Sequence, residues 1–282
     1  MDIGVGLPTT VPDLNGPRLL EWAREAERHG FSSLAVLDRL VYDNYESLIA
    51  LAAAGAVTER IRLAATILIA PYRDSTAILA KQAATIDAIS GGRLVLGVAA
   101  GGREDDYAAT GASYADRGRR LDAMLAELRD IWSGGSGIGP APVTAGGPTL
   151  LAGGHSPAAM RRAARHADGW IAGGSSVAGF GALAAQAGEI WAAEGRPGRP
   201  RTLSLAYASL GPEGQATAER YLRAYYAFIG PKAERAASGV LTTPEAVRQT
   251  VRDYAAAGCD ELLLFPCSAD PKQLTLLADA VF

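Results

Sequence analysis

The sequence has few of the features that mark several large classes of protein. It has two cysteines, Cys259 and Cys267, and neither has a histidine or a further cysteine at metal-ligand spacing. No apolar stretch approaches the roughly 18 residues that a bilayer-spanning helix needs, and no basic segment followed by an apolar one comes after Met1. We therefore expect a soluble, reduced and unprocessed cytoplasmic protein without a metal site or a membrane partner.

Concentrated positive charge and the common catalytic signatures are also missing. The formal net charge is −3 with 20% charged residues, and no run of lysine or arginine indicates a nucleic-acid partner. There is no G-x-S-x-G elbow, no G-x-x-x-x-G-K-[ST] phosphate loop and no G-x-G-x-x-G after the first predicted strand. Hydrolase and kinase functions lose support, and small molecules become the expected partners.

What the sequence does contain is an alternation of short apolar runs with helical patterns. The 282 residues, 49% of them hydrophobic, can bury a large core in a single unit. The apolar runs are residues 2–7, 33–37, 61–69, 93–99, 148–152, 169–172, 202–208 and 261–265. Eight strands separated by helices close most naturally into a (β/α)8 TIM barrel that fills residues 1–282, although an open doubly wound sheet gives the same alternation.

Two segments lie outside this alternation. Residues 134–147 are rich in glycine and proline and have no helical period, so they are predicted to form a long loop between the fourth and fifth strands. These residues are not predicted to be a domain boundary, because a strand and a helix follow them directly. Residues 230–243 are polar, and they are predicted to form an ordinary surface loop before the last strand.

Glycine pairs follow two neighbouring predicted strands, at 153–154 and 173–174. Ser156 before Pro157 is a good N-cap followed by a residue suited to a first helical position. Free N–H groups at a helix start favour an anion, and glycine lets a ligand approach the backbone closely. The two corners together therefore indicate a phosphate site. The alternative is that the glycines only end the strands and that His155 makes a local hydrogen bond.

Other polar residues fall beyond the predicted strand ends, where the ligands of a parallel barrel bind. Asp38 and Arg39 follow the second strand, as an ion pair or as groups that face a substrate. The acidic residues 104–106 indicate a solvated helix start with one carboxylate turned inward, because consecutive side chains point in different directions. With no strong nucleophile or metal cluster, a phosphorylated cofactor is the expected source of reactivity. A barrel aldolase or isomerase is a weaker alternative, because no predicted strand contains a lysine.

Several motifs occur together, in order and at characteristic spacing. They are E-A-E-R-H-G-F-S-S-L-A-V-L-D at 25–38, V-T-E-R-I-R-L at 57–63, L-A-K-Q-A-A-T-I-D-A-I-S-G-G-R-L-V-L-G-V at 79–98, R-E-D-D-Y-A-A-T-G at 103–111, R-G-R-R-L-D at 117–122, G-G-H-S-P at 153–157 and A-A-R-H-A-D-G-W at 163–170. Over nearly its whole length the chain thereby resembles the bacterial-luciferase-like superfamily of flavin- and deazaflavin-dependent oxidoreductases.

The resemblance implies a TIM barrel that binds FMN or coenzyme F-420 (F420) at its C-terminal mouth. Family members carry a bulge with a non-prolyl cis peptide in the third strand, which by position falls at Thr66-Ile67. The cofactor-binding residues that the resemblance implies are Thr66, Ile67, Ala100, Gly101, Gly153, Gly154, His155, Ser156, Gly173, Gly174 and Ser175. Arg117 matches an arginine near the phosphate. Members often pair through their early helices, which makes a homodimer one expected arrangement.

The chain also departs from the family pattern. Many deazaflavin-dependent members have Asp-His after the second strand, where this chain has Asp38-Arg39, and Gly102 stands where relatives place a bulkier residue. A guanidinium stays protonated, so Arg39 is expected to anchor an anion or stabilise charge. Asp38, Arg39 and Tyr42 are the expected catalytic, substrate-facing residues.

The function implied is an oxidoreductase or monooxygenase that acts on a small organic substrate by hydride transfer or oxygen activation. The alternative is a family member that binds flavin without turnover. The choice between FMN and F420 stays open, because F420 has a long acidic tail while Lys81, Lys232 and Lys272 do not cluster on the rim. Arg73 and Arg103 are the cations that could compensate.

Overall fold

The eight predicted strands form a closed parallel barrel. The computed structural model describes the backbone of residues 1–282 and all side chains except those of residues 231, 232 and 235. The strands are β1 (Asp2–Gly6), β2 (Ser33–Val36), β3 (Arg62–Ile69), β4 (Leu94–Ala99), β5 (Thr149–Gly153), β6 (Gly169–Gly174), β7 (Arg201–Ala208) and β8 (Glu261–Pro266). Each strand pairs with the next, and β1 pairs with β8. The TIM barrel prediction is confirmed, and each predicted apolar run overlaps one strand.

Helices surround the barrel and connect its strands. They are α1 (Gly16–Arg28), α2 (Ser47–Gly55), α3 (Thr76–Ser90), α4 (Glu104–Thr110), α5 (Arg117–Trp132), α6 (Pro157–His166), α7 (Val177–Ala193), α8 (Gly214–Tyr225), α9 (Ala233–Ser238), α10 (Pro244–Ala256) and α11 (Lys272–Val281), with two 3-10 helices at Ala70–Tyr72 and Ala227–Lys232. In α5 the apolar stripe from Leu121 to Trp132 is buried against the barrel, as its 3.6-residue period predicts.

The barrel interior is closed at its N-terminal end by an ionic cluster. The Glu261 carboxylate accepts hydrogen bonds from Ser32, Ser33, Arg62 and Arg201 at 2.5–3.1 Å. The carboxylate is buried, and each guanidinium is about one-third exposed. Ligands of parallel barrels bind at the opposite, C-terminal mouth.

The segment 230–243 is not the surface loop that its polarity predicts. It contains the end of the second 3-10 helix and all of α9, and Leu241 pairs as a bridge with Ala208 of β7. Ala237 is buried against the cluster of residues that fills the barrel interior. The prediction failed because the segment buries alanine side chains. Alanines scattered among charged residues give no clear hydrophobic pattern in the sequence.

Two irregularities in the sheet lie beside the predicted site. The β3–β4 register shifts between Ala65 and Leu68, and the peptide bond between Thr66 and Ile67 within that bulge is cis, as the resemblance implies. The β6–β7 register shifts between Ile171 and Gly174, so β6 is also bulged at its end. Bulges turn a strand away from its ladder and re-aim backbone and side chains, here toward the C-terminal mouth.

Among the described residues, no helix is both long enough and apolar enough to cross a membrane.

Candidate functional site

A cavity of about 730 Å³ opens at the C-terminal ends of four consecutive strands, β3 to β6. Its wall combines strand ends with the starts of α5 and α6. The lining residues are Ile67, Ala99, Ala100, Gly101, Gly102, Ala115, Arg117, Gly118, Gly153, Gly154, His155, Ser156, Ala158, Ala159, Arg162, Ala172, Gly173 and Gly174. Nine of the eleven residues predicted to bind a cofactor therefore line one cavity; the other two, Thr66 and Ser175, lie next to lining residues. Their role in binding stays a prediction.

The first glycine corner lies between β5 and α6. Gly154 has φ +131°, and a Cβ there would meet Cβ of Ala159 at 2.8 Å, so the turn onto the helix requires glycine. Ser156 caps α6, because its Oγ accepts the N–H of Ala159 at 3.2 Å. The N–H of Ala158, which also lines the cavity, belongs to the first helical turn and has no intrahelical partner. This corner therefore presents a helix start with a free donor to the cavity.

The second corner lies at the bulged end of β6. Gly173 has φ +68°, which favours glycine, and its carbonyl accepts the Ser204 hydroxyl. Nε2 of His155 donates to the carbonyl of Ala172, so this histidine links the two corners. A Cβ on Gly174 would meet nothing closer than Cδ1 of Leu205 at 3.7 Å. The space beside Gly174 is therefore open to a ligand.

The third strand supplies the floor of the cavity. Ile67, the residue after the cis bond, packs against β5, where a Cβ on Gly153 would overlap its Cδ1 atom. Thr66 is buried, and its hydroxyl has no hydrogen-bond partner among the described residues; the same holds for the buried Ser175 Oγ. Buried hydroxyls normally have partners. Two predicted cofactor-binding residues next to the cavity lining thus have buried hydroxyls without a hydrogen-bond partner among the described residues.

Arginines border the cavity on the side of α5 and α6. Arg117 donates to the carbonyls of Gly101 and Tyr114, so it stabilises the loop after β4. Arg162 pairs with Asp122 through Nε at 2.6 Å. A smaller hollow of about 270 Å³ adjoins the cavity and shares Ala158 and Arg162 with it. Its lining is Asp122, Ala158, Arg161, Arg162, Arg165 and His166. Arg165 is in turn paired with Glu194, so among the described residues Arg161 is the arginine of this hollow without an ion pair.

The Asp38 carboxylate is held within the protein. It accepts hydrogen bonds from the Ser47 hydroxyl, the Ile69 N–H, the Tyr72 hydroxyl and the Arg73 guanidinium at 2.6–3.3 Å. Burial, with the neighbouring Asp38 charge, raises the pKa of Tyr72 far above its ordinary value, so the phenol stays a donor. The geometry gives Asp38 a positioning role between β2, β3 and α2. Arg73, paired here and with Glu46, has no free charge to offer a cofactor tail.

Arg39 and Tyr42 form the rim next to Asp38. The Arg39 side chain is 6% exposed, donates to the Val41 carbonyl at 2.8 Å and contacts Asp105 at 3.3 Å. Its guanidinium lies over the Tyr42 ring, 4.9 Å from the centroid. Burial raises the pKa of the Tyr42 phenol above its ordinary value, although Arg39 and Arg103 oppose the shift. At neutral pH Tyr42 is a protonated hydroxyl beside a fixed positive charge.

An aromatic cluster occupies the other half of the barrel mouth. Tyr207 of β7 and Phe265 of β8 pack against Tyr221 and Tyr225 of α8, and Tyr207 shares a 2.8 Å hydrogen bond with Tyr226. Tyr221 also bonds Thr10, which joins α8 to the loop after β1. Burial, followed by the neighbouring phenols, raises the pKa of Tyr207 well above its ordinary value. These phenols are therefore neutral and exclude water from this half.

Sequence reasoning missed two parts of this arrangement. Gly118 and Arg162 line the cavity from α5 and α6, but the sequence only marked them as helical. The aromatic cluster had a visible signal, since Tyr221 and Tyr225 are four residues apart and so share one helix face. That face was not recognised because nothing in the sequence shows that α8 packs against the barrel interior.

The acidic helix start behaves as expected. Asp106 is fully buried, and its Oδ1 accepts the N–H groups of Leu40 and Val41 at 3.1 and 2.7 Å. Its neighbours Glu104 and Asp105 are exposed. Within the described part of the chain, no group of three histidine, cysteine, aspartate or glutamate residues could hold a metal ion.

Comparison with known sequences gives a consistent set of matches. A sequence profile described as Luciferase-like monooxygenase matches residues 1–264. An uncharacterised protein of Mycobacterium tuberculosis is 33% identical over 187 residues, which is 54% of this chain and 64% of that protein. The FMNH(2)-dependent dimethylsulfone monooxygenase of Pseudomonas putida is 31% identical over 179 residues, 56% of this chain and 49% of the relative. The chain thus spans less than two thirds of the length of these relatives.

Solved structures share the whole fold. Monooxygenase RslO1 from Streptomyces bottropensis superposes with a TM-score of 0.84 at 20% identity, covering 99% of this chain and 98% of that one. An F420-dependent secondary alcohol dehydrogenase, solved with an F420-acetone adduct, gives a TM-score of 0.80 at 18% identity with the same coverage. At these identities the likeness concerns the fold alone.

Proposed function

Because this chain belongs to the luciferase-like monooxygenase family, we propose that it is an oxidoreductase that binds FMN or F420 in the 730 Å³ cavity. Its substrate in this proposal is a small organic molecule, changed by hydride transfer or by activated oxygen. Relatives and structural neighbours include an FMNH(2)-dependent monooxygenase and an F420-dependent alcohol dehydrogenase, which supports both cofactors as candidates.

The observation that carries the proposal is the convergence of two glycine corners and a capped helix start on one cavity. The residues fit a phosphorylated ligand: Gly102 and Gly174 leave space that a Cβ would fill, and Ala158 offers a free N–H at the positive end of α6. The unused hydroxyls of Thr66 and Ser175 add hydrogen-bonding atoms at the edge. The first corner would hold the phosphate, with Ile67 against the ring.

When bound, the flavin or deazaflavin ring supplies the hydride or the reducing power for oxygen. The chain's own residues have separate tasks in this proposal. Arg39 holds a permanent positive charge beside the reacting centre and stabilises negative charge there. Tyr42, protonated at neutral pH, is the proton donor, and Asp38 positions the strand ends on either side. The aromatic cluster excludes water.

The hollow at α6 favours F420 between the two cofactors. Three arginines, Arg161, Arg162 and Arg165, line it beside the phosphate corner. Arg162 pairs with Asp122 and Arg165 with Glu194, which leaves Arg161 for an acidic group of a ligand. An acidic tail that leaves the phosphate corner would enter this hollow. FMN lacks such a tail and would use only the glycine corners.

The proposal is tested by titrating the purified protein with F420 and, separately, with FMN, following cofactor fluorescence. We expect micromolar or tighter binding of at least one cofactor. Gly174→Val should weaken that binding at least about tenfold, because Gly174 lines the cavity and a Cβ there makes only an ordinary contact, 3.7 Å from Cδ1 of Leu205. The matched control is Gly188→Val on α7, where a Cβ also meets nothing within 4 Å but lies away from the cavity.

Three results would count against this site. They are the absence of binding by either cofactor, equal affinity in wild type and Gly174→Val, and equal weakening by Gly188→Val. The choice between cofactors is tested by Arg161→Gln, which should weaken F420 but leave FMN unchanged.

A second candidate function is a cofactor-binding protein without turnover. The saturated hydrogen bonding of Asp38 and the link between His155 and Ala172 favour it, because both groups are occupied within the protein. Steady-state cofactor oxidation with a panel of ketones, imines and enones separates the two candidates. Turnover supports the oxidoreductase. Tight cofactor binding without turnover supports the cofactor-binding protein.

A further inference from the structure

Two guanidinium groups meet at the rim of the barrel mouth. Arg39 follows β2, and Arg103 is the N-cap residue of α4, directly after the cavity-lining Gly102. Both donate to the same carbonyl, that of Tyr225, at 3.5 and 3.4 Å. Both also lie over the same two rings: Arg39 is 5.8 Å from the Tyr225 and Phe228 centroids, and Arg103 is 5.1 and 3.6 Å from them.

The pair carries more positive charge than its direct partners neutralise. Arg39 contacts one carboxylate, Asp105, whose side chain is 44% exposed. Among the residues whose side chains the structure describes, no carboxylate lies within ion-pair distance of Arg103. Burial lowers the pKa of Arg103 and the nearby Arg39 charge also lowers it, whereas Tyr225, Asp106 and Asp105 act in the opposite direction without reversing the shift. Two like charges packed together in a largely buried place are unfavourable unless an anion joins them.

Unused donors on both arginines point to the same conclusion. Nε of Arg39 and Nη1 of Arg103 are buried and have no acceptor among the described residues. The Arg39 side chain is more than nine-tenths buried, so solvent does not serve its Nε. Buried donors normally have an acceptor, and a carboxylate is the group that arginine guanidinium groups bind most readily.

We propose that Arg39 and Arg103 form the subsite for a carboxylate group of the substrate, so that this enzyme acts on small organic acids. The reaction that the bound acid undergoes rests on the proposed function. The binding of a carboxylate by the two arginines does not. Tyr42, Tyr225 and Phe228 supply apolar faces for the body of such a molecule. Phe228, 43% exposed, lies over Arg103 with its centroid 3.6 Å from the guanidinium carbon, so the pair lies at the protein surface.

The test uses benzoate and its neutral counterpart benzamide, which share a ring and differ in charge. Isothermal titration should show that wild-type protein binds benzoate at least about tenfold more tightly than benzamide. Arg39→Gln and Arg103→Gln should each weaken benzoate binding at least about tenfold and leave benzamide unchanged. Arg252→Gln is the matched control, because it removes the same charge from an exposed position on α10.

A second measurement needs no variant. Phenylglyoxal modifies arginine side chains, and benzoate should slow its reaction with Arg103 in the wild-type protein, as followed by mass spectrometry, whereas benzamide should not. Equal affinity for benzoate and benzamide, or equal protection by both, overturns the subsite. Competition with inorganic phosphate is a further control. If phosphate displaces benzoate at a concentration below the dissociation constant of benzoate, the site prefers phosphate and the carboxylate subsite is overturned.

Cofactor titration of the same samples keeps this inference separate from the proposed function. Arg39→Gln and Arg103→Gln should bind the cofactor as wild type does, since neither side chain lines the 730 Å³ cavity. Cofactor binding without benzoate binding overturns the subsite alone. Benzoate binding without cofactor binding overturns the proposed function and retains the subsite.

Discussion

The role of the Asp38 carboxylate is decided by its hydrogen-bond partners, which the sequence does not reveal. A carboxylate offers about four hydrogen-bonding positions, and Ser47, Ile69, Tyr72 and Arg73 donate to this one. The sequence left an ion pair with Arg39 and a substrate-facing carboxylate equally open, but the structure pairs Asp38 with Arg73, 35 positions away, and Arg39 with Asp105. The observed partners favour a structural role for Asp38. In our proposal Tyr42 is therefore the proton donor at this rim.

Tyr42 is tested by Tyr42→Phe. We expect kcat for any substrate found to fall about 10²-fold, because a general acid typically contributes that much, with little change in cofactor affinity. In wild type the rate should not fall between pH 6 and 9, since burial raises the pKa of Tyr42 above its ordinary value near 10 and a raised pKa keeps the proton in place. A pH–rate profile that loses activity near pH 6.5 would instead indicate a histidine acid.

At the level of elements, the strands and most helices could be predicted, but the segment after β7 could not. Strand runs such as 261–265 are apolar, and the α5 stripe from Leu121 to Trp132 has a clear helical period. The polar stretch 230–243 carries no such period, although it contains α9. Its burial depends on contacts with a barrel interior that is assembled from residues far away in the chain.

The loop into β3 is fixed by one side chain of α1. The Glu27 carboxylate accepts the N–H groups of Glu59, Arg60 and Ile61 at 2.5–3.0 Å. Burial alone would raise the pKa of Glu27, but the three amides outweigh it, and the net pKa lies below its ordinary value of 4.5. Such a group stabilises the fold above the pKa that it has in the unfolded chain, and this stabilisation is lost as pH falls through the lower, folded pKa.

Glu27→Gln should therefore lower the free energy of unfolding by about 1 kcal/mol at pH 7, a modest value because the group is partly solvated. The difference from wild type should shrink as pH falls below about 4.5. Urea denaturation at pH 7 and pH 3.5 measures both values. Glu21→Gln, an exposed change on the same helix, should have little effect at either pH. A Glu27→Gln difference that does not depend on pH would rule out the role of the charge.

At the scale of the whole molecule, the barrel mouth is divided into two halves. The ends of β3 to β6 surround an open cavity lined by glycine and small side chains, whereas α8 packs aromatic rings against β7 and β8. This division places the glycine corners and Arg161 on one side and the Arg39–Arg103 pair with Tyr42 on the other. In our account the cofactor enters from the first half and the substrate from the second.

The sequence allowed the barrel to be predicted from its alternation of strands and helices. It allowed nine of the cavity-lining residues to be predicted from the glycine corners, the capping residue and the family resemblance together. It did not allow the partners of Asp38, the meeting of Arg39 with Arg103 or the aromatic half of the mouth to be predicted. Each of these depends on residues from different strands that only the closed barrel brings together. Motifs formed by residues close together in the chain could therefore be recognised in the sequence. Contacts between residues far apart in the chain could not.

The central claim is that the two glycine corners bind the phosphate of a flavin or deazaflavin. A crystal structure of the protein soaked with F420, or with FMN, tests it most directly. We predict phosphate density within hydrogen-bonding distance of Ser156 and the Ala158 N–H, with the ring system against Ile67. Phosphate density elsewhere, or an occupied cofactor whose ring lies away from Ile67, would contradict the account.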